Sequence, residues 1–166
     1  MAGSEKRGVE FARTDLFQNA LCITTPTPRT NPEALEAVEA FWRSIGMRIT
    51  RVSPEEHDLL LAEVSHLPHA VAAALVAIQK QAGLKLCGKG FLDATRIAGG
   101  DGSLWRDIFI DNRDNLIAAI ARLKDELGQV EGMLKNNDAG GLAEWLDAAA
   151  GRRDELVREK LRELEG

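Results

Sequence analysis

The sequence predicts a mainly α-helical fold with one or two short β-strands near its N-terminus. Three observations carry that prediction. Apolar side chains recur at steps of three and four through most of the chain after residue 31. Two helix starts are marked by a capping residue followed by proline, Asn31-Pro32 and Ser53-Pro54. Only two short β-branched runs occur, LCITTPT and MRITRV, too few to build a sheet core on their own.

The elements follow in order. The first twenty residues are polar and irregular, with room for one short helix. LCITTPT reads as a strand closed by proline. Asn31 and Pro32 open a helix whose Leu35, Val38, Phe41, Trp42 and Ile45 share one face, and Gly46 ends it. MRITRV is the second strand. SPEE is a capping box, with Ser53 accepting from the first turn and Glu56 reaching back. The helix it starts runs through Leu59, Leu60 and an alanine-rich stretch, and Pro68 is expected to kink it or split it in two. Residues 83–90 read as a loop, FLDATRIA as a short helix and GGDGS as another loop. From Leu104 to Leu134 the apolar steps predict one long amphipathic helix, NNDAGG breaks it, and a last, highly charged helix follows.

Composition bounds the function. With 166 residues, 45% of them hydrophobic and 28% charged, the chain is an ordinary globular one, sized for a single core. A net charge of -5 argues against a nucleic-acid surface. No apolar run approaches the roughly 20 residues of a membrane span, and no basic-then-apolar leader opens the chain. Cys22 and Cys87 have no metal-like spacing and read as reduced thiols, so a cytoplasmic location is expected.

Chemistry concentrates in two segments. SHLPHAVAAALV carries His66 and His69 at i and i+3, on one face if the helix persists across Pro68. They read as zinc ligands, as core histidines satisfied by backbone, or as hydrogen-bonding groups at a ligand pocket. No HExxH or cysteine cluster supplies further metal ligands. His57, on the early turn of SPEEHD, reads as a surface residue or a helix-packing contact. In GKGFLDATRIAGGDGSLWRDI, Gly88 and Gly90 permit a close turn. Asp93 and Arg96 are spaced to pair on a helix surface, yet Arg96 also sits between glycine-rich loops, where its fork of donors can grip a carboxylate. Trp105 is either core or a pocket wall. Neither a GxGxxG loop, a P-loop nor a nucleophile elbow is present. From the residues alone the chain is a helical domain with an anion pocket formed by His66, His69 and Arg96.

Taken together, MAGSEKRGVE, SPEEHD, VSHLPHAVAAALV, GFLDATRIA and SLWRDIF resemble the prephenate dehydrogenase family, in its order and spacing and over most of the chain to about Asn115. That resemblance implies a helical C-terminal domain that dimerises and helps to build the substrate site, here residues 31–166. Residues 1–30 would be the tail of a Rossmann nucleotide-binding domain. The family's motif is a histidine, a proline, one variable residue and AGSE. Met1 falls on the variable position, so the catalytic histidine and the nucleotide loop are expected to be absent from this chain. The implied activity is the NAD-dependent oxidative decarboxylation of prephenate to 4-hydroxyphenylpyruvate in tyrosine biosynthesis. The implied partners are prephenate, a second copy of the chain and, for turnover, a separate Rossmann chain.

Residue by residue, the resemblance gives Arg96 a substrate carboxylate and His69 the pyruvyl side, with His66 and Ser65 as neighbours. Asp93, Glu5 and Ser4 fall on positions that orient or gate the arginine, and Trp105 on a pocket wall. No metal is implied. Leu92 departs from relatives that carry a basic residue there, and Lys89 is near enough in sequence to compensate. A dianionic substrate fits such a cationic clamp on an acidic protein. Two alternatives stand beside this reading: a non-catalytic homodimer that senses metabolites, and a preference for arogenate.

Overall fold

The structure, a computed structural model, describes residues 8–165, with the side chains of residues 8–162. It is mainly helical, with a two-stranded sheet near the start, as the apolar spacing predicts. It divides into two compact units, with the boundary in the chain between Ala119 and Ile120.

The first unit opens with a 3-10 turn, Val9–Phe11, followed by β1 (Leu21–Thr24), α1 (Pro32–Ser44) and β2 (Arg48–Arg51). β1 and β2 pair in parallel, with Leu21 opposite Arg48 and Thr24 opposite Arg51. Parallel neighbours need a crossover, and α1 provides it. Asn31 caps α1 by accepting from the Ala34 N–H at 3.1 Å. At the other end Gly46 takes a φ of +91°, which lets its N–H reach the Arg43 carbonyl at 3.0 Å and the Met47 N–H the Trp42 carbonyl at 3.1 Å. A Cβ at Gly46 would collide with the Gln18 side chain.

Glu39 on α1 ties the three elements together. Its side chain is fully buried, and Arg51 of β2 holds it bidentately, at 2.6 and 2.7 Å. Arg43 adds a bond of 2.9 Å and the Thr24 hydroxyl of β1 one of 3.0 Å. The Arg51 fork, opposed by burial and helped by Thr24 and Arg43, lowers the carboxyl from 4.5 to about 2. A buried carboxylate persists only when paired in this way.

The next elements are α2 (Pro54–Leu61), a π-turn (Ala62–His66) and α3 (Leu67–Ala77). Ser53 accepts from the Glu56 N–H at 3.0 Å, which is one half of the capping box that SPEE predicts; the return bond from the Glu56 side chain is not formed. Pro68 does not split the helix. A proline ring clashes with the carbonyl four residues back, and here the preceding turn widens, so that the Leu67 N–H bonds to the Ala62 carbonyl five residues back. The outcome is one continuous 24-residue helix, Pro54–Ala77. By length and composition alone it is long and apolar enough to cross a bilayer, which corrects the sequence expectation. Its buried residues are Ala62, His66, His69 and Ala72.

α4 (Gln81–Leu84), α5 (Lys89–Thr95) and a 3-10 turn (Arg96–Gly99) follow. The expected loop over 83–90 is therefore shorter and flanked by helices. Gly88 precedes α5 with extended backbone, φ -99°, and Gly90 lies inside α5. Both face open space, so neither position has a close neighbour that requires glycine.

The long helix expected from Leu104 is two helices, α6 (Gly102–Asp111) and α7 (Arg113–Lys135), parted at Asn112, where φ is -113° and ψ 32°. Asp101 caps α6, accepting from the Ser103 and Leu104 N–H groups at 2.9 and 3.2 Å. The core of this unit is small: Met47, Ala62, Ala72, Leu116 and Ala119 are buried beside the polar Glu39, His66, His69 and Thr95.

The second unit holds the rest of α7 and α8 (Ala139–Glu165). Asn137, with φ +50°, makes the turn between them, and Asp138 accepts from the Gly141 N–H at 2.9 Å. Trp145 donates to Glu126 at 3.1 Å. None of the described side chains of α8 is buried.

Candidate functional site

The widened turn before Pro68 and the first turn of α3 bring both histidines inward. His66 and His69 are each more than nine-tenths buried. His69 stacks on Trp105 of α6, ring centroids 3.6 Å apart and planes 14° from parallel. Phe109, one turn beyond Trp105, presents its edge to both rings, at 6.0 Å from His69 and 5.8 Å from Trp105. His66 meets Trp105 edge-on at 6.4 Å. The apolar spacing left Trp105 as core or pocket wall; it is half-buried and forms one wall of this cluster.

Gly100 closes the cluster from above. A Cβ there would lie 2.6 Å from the Trp105 Nε1 and 3.2 Å from the His69 Cε1. Only a residue without a side chain lets the backbone pass so close to the stack.

Burial lowers both imidazoles below their ordinary range. For His69 it is the whole cause; for His66 the Asp58 charge opposes it and His57 adds to it. Both are therefore neutral at pH 7, each with one donor and one acceptor nitrogen. His69 Nδ1 is buried and has no hydrogen-bond partner among the described residues. An unpaired polar atom in such a place is costly, and a bound ligand would satisfy it.

His66 has a partner. Its Nδ1 lies 3.3 Å from the Asn112 Nδ2, which also donates to the Asp58 carbonyl at 2.6 Å. Asn115 donates to the Asn112 Oδ1 at 2.9 Å. His57 is less buried and contacts Asp58 at 3.0 Å, in keeping with a surface position.

Arg96 begins the 3-10 turn that packs against α3, the helix of His69, and leads in four residues to Gly100. Its side chain is exposed. Asp93 pairs with Lys89 at i and i+4, at 2.5 Å. Ser65 lies half-buried in the π-turn. Gly88 and Gly90 are exposed and away from the stack's closure at Gly100. Ser4 and Glu5 lie outside the described residues. Among the described residues no cluster of histidine, cysteine and acid side chains is placed to hold a metal ion, so zinc has no set of ligands there.

The sequence reading missed Gly100, Phe109, Asn112 and Asp58. Phe109 had a signal, since it follows Trp105 by one helical turn. Asn112 and Asp58 meet across 54 residues of chain, and Gly100 meets Trp105 five residues on and His69 31 residues back, so none of the three leaves a local pattern.

A family model for the prephenate dehydrogenase dimerization domain matches residues 53–148, more than half of the chain. The chain belongs to the prephenate dehydrogenase family. The model of that family's nucleotide-binding domain matches residues 1–51. Prephenate dehydrogenase of Bacillus subtilis is 34% identical over 96% of this chain and 45% of its own length. The crystal structure of prephenate dehydrogenase from A. aeolicus with hydroxyphenyl propionate and NAD+ superposes with a TM-score of 0.86 at 36% identity, over 94% of this chain and 57% of that one. Synechocystis arogenate dehydrogenase superposes with a TM-score of 0.80 at 30% identity, over 93% and 59%. The chain spans about half the length of the curated relatives it matches.

Proposed function

We propose that this chain is the substrate-binding and dimerisation portion of a prephenate dehydrogenase. The observation that carries the proposal is His69, neutral, stacked on Trp105 and with a buried nitrogen lacking a partner, on the helix against which the Arg96 turn packs. Arg96 takes one substrate carboxylate as a two-pronged donor. His69 bonds the pyruvyl side, and the face of Trp105 walls the ring, with His66 and Ser65 beside them. Asp93, through Lys89, and the terminal Ser4 and Glu5 orient the arginine. The hydroxyphenyl propionate of the A. aeolicus structure, an aromatic acid, supports this choice of ligand class.

NAD is the proposed cofactor, bound mainly by polypeptide beyond these 166 residues, whether joined to this chain or separate. The described residues do not themselves fit a dinucleotide cradle. The turn from β1 to α1 reads TPTPRTN, with two prolines and no glycine, where such a cradle needs a glycine-rich turn. The β1–α1–β2 unit ends where the nucleotide-binding model ends, at residue 51, which favours a domain boundary there over one after residue 30. A two-stranded parallel sheet calls for further strands, and a Rossmann polypeptide supplies them. Cys22 and Cys87 are free thiols, in keeping with a reducing, cytoplasmic setting. Arogenate is the second reading, favoured by the likeness to the Synechocystis enzyme.

Calorimetric titration of the purified chain with prephenate and with arogenate tests the proposal. Arg96→Ala is expected to weaken prephenate binding roughly 10- to 150-fold, the worth of a charge-assisted bond of about 1.5–3 kcal/mol, while helix content is kept. Equal binding by the variant would sink the assignment of Arg96. With NAD added, the chain alone is expected to produce no NADH; steady turnover would show that these residues hold the cofactor after all.

A further inference from the structure

We infer that Asn112 is a positioning residue that locks His66 in the tautomer protonated at Nε2. The reasoning uses only which groups can donate. The Asp58 backbone carbonyl accepts and never donates, so the Asn112 atom 2.6 Å from it is the amide nitrogen, not the oxygen. The other end of the amide agrees: its Oδ1 takes a bond from the Asn115 side chain at 2.9 Å. The Asp58 carbonyl thus fixes the orientation of Asn112, and the Asn115 contact is consistent with it.

That nitrogen has two hydrogens. One is committed to Asp58, and the second faces the His66 Nδ1 at 3.3 Å. A donor facing Nδ1 requires a lone pair there. His66 is neutral because burial disfavours its charged form, so its single proton sits on Nε2.

The fold is built around this contact. Asn112 is the residue at which α6 ends and α7 begins, and the break turns its half-buried side chain toward α2 and the π-turn. Asp58 lies ahead of the widened turn and His66 ends it, and the one Asn112 amide nitrogen reaches both. The consequence is directional: His66 offers a hydrogen, and not a lone pair, at Nε2. If the cluster binds substrate as proposed above, His66 donates to an oxygen of the ligand. That use rests on the proposed function; the tautomer does not.

Long-range proton–nitrogen NMR on the labelled full chain reads the tautomer directly, because an unprotonated ring nitrogen resonates far from a protonated one. The chain has only three histidines, so assignment is simple. The expected result is an unprotonated Nδ1 and a protonated Nε2 for His66. A protonated Nδ1, or rapid averaging of the two forms, overturns the inference whatever any variant does. Asn112→Asp keeps the shape but replaces the donor by an acceptor, and is expected to move the His66 proton to Nδ1. An unchanged His66 spectrum in a folded Asn112→Asp protein would also overturn it. Neither readout depends on prephenate binding, so this inference and the proposed function fail separately.

Discussion

At the scale of single residues, the cluster depends on a side chain that is missing. Gly100 passes so near the His69–Trp105 stack that even a methyl group cannot fit without moving an aromatic ring. Gly100→Ala is therefore expected to unstack the pair, seen as a change in tryptophan fluorescence with helical circular dichroism retained. Stacked aromatic pairs are worth about 0.5–1.5 kcal/mol beyond burial, so prephenate affinity should fall roughly three- to tenfold. Unchanged fluorescence and affinity would mean that the stack is not under this constraint. Both histidines were legible as a helically spaced pair in one apolar stretch, and Trp105 as an aromatic at helical spacing in another. Gly100 was visible only as one of several loop glycines, and nothing local separates the glycine under a ring from those facing solvent, such as Gly88 and Gly99.

The histidines also set a pH dependence. Their folded-state pKa values lie below the ordinary one because of burial. The unfolded chain then binds protons more readily as pH falls, so their contribution to stability is complete above about 6.5 and is lost below it. Glu39 acts in a lower window. Its carboxyl is depressed from 4.5 to about 2, so its contribution is present above 4.5 and is lost as pH falls toward 2. Urea titrations at successive pH values should show stability declining in both windows, and Glu39→Gln should flatten the lower one only. A decline below 4.5 that survives Glu39→Gln would assign that window to other carboxylates.

At the scale of elements, local signals were reliable where the energy is local. The caps at Asn31 and Ser53 form as the sequence predicts, because each is a bond between near neighbours. Ser53→Ala should cost about 1 kcal/mol, measured as a lower denaturation midpoint with an unchanged slope. An unchanged midpoint would mean the cap adds nothing. Pro68 and Asn112 misled for the same reason in opposite directions. Proline predicts a kink or a split from steric rules within one turn, and the chain avoids the split by widening the preceding turn and keeping its helix. Asn112 sits in an unbroken apolar rhythm, yet the helix breaks there because its side chain finds partners 46 and 54 residues away. Glu39 escaped the sequence reading as well: among charged helix neighbours it looks like a surface residue, and its burial depends on Arg51 being delivered by the parallel register of β2.

At the scale of the whole molecule, the unpartnered apolar side chains decide what the chain must do next. Leu146, Leu156 and Leu161 are each 53% exposed on α8, and Leu127 and Leu134 on α7 are 57% and 59% exposed. α8 alone has 27 residues, about 40 Å at the helical rise, and none of its described side chains is buried. Burying one leucine yields about 1.5–3 kcal/mol, so covering several yields enough to order two chains against each other. The match of residues 53–148 to a dimerization domain favours a second copy as the cover, and a twofold pair would present the same helices to each other. Sedimentation equilibrium at micromolar concentration is expected to give a dimer. Leu146→Glu lies within the matched span, and in a dimer it places like charges close to one another in an apolar surface. It should shift the protein toward monomer while the tryptophan signal of the His69 cluster, in the other unit, stays as it was. A wild-type chain that remains monomeric at that concentration would leave this face to a different partner.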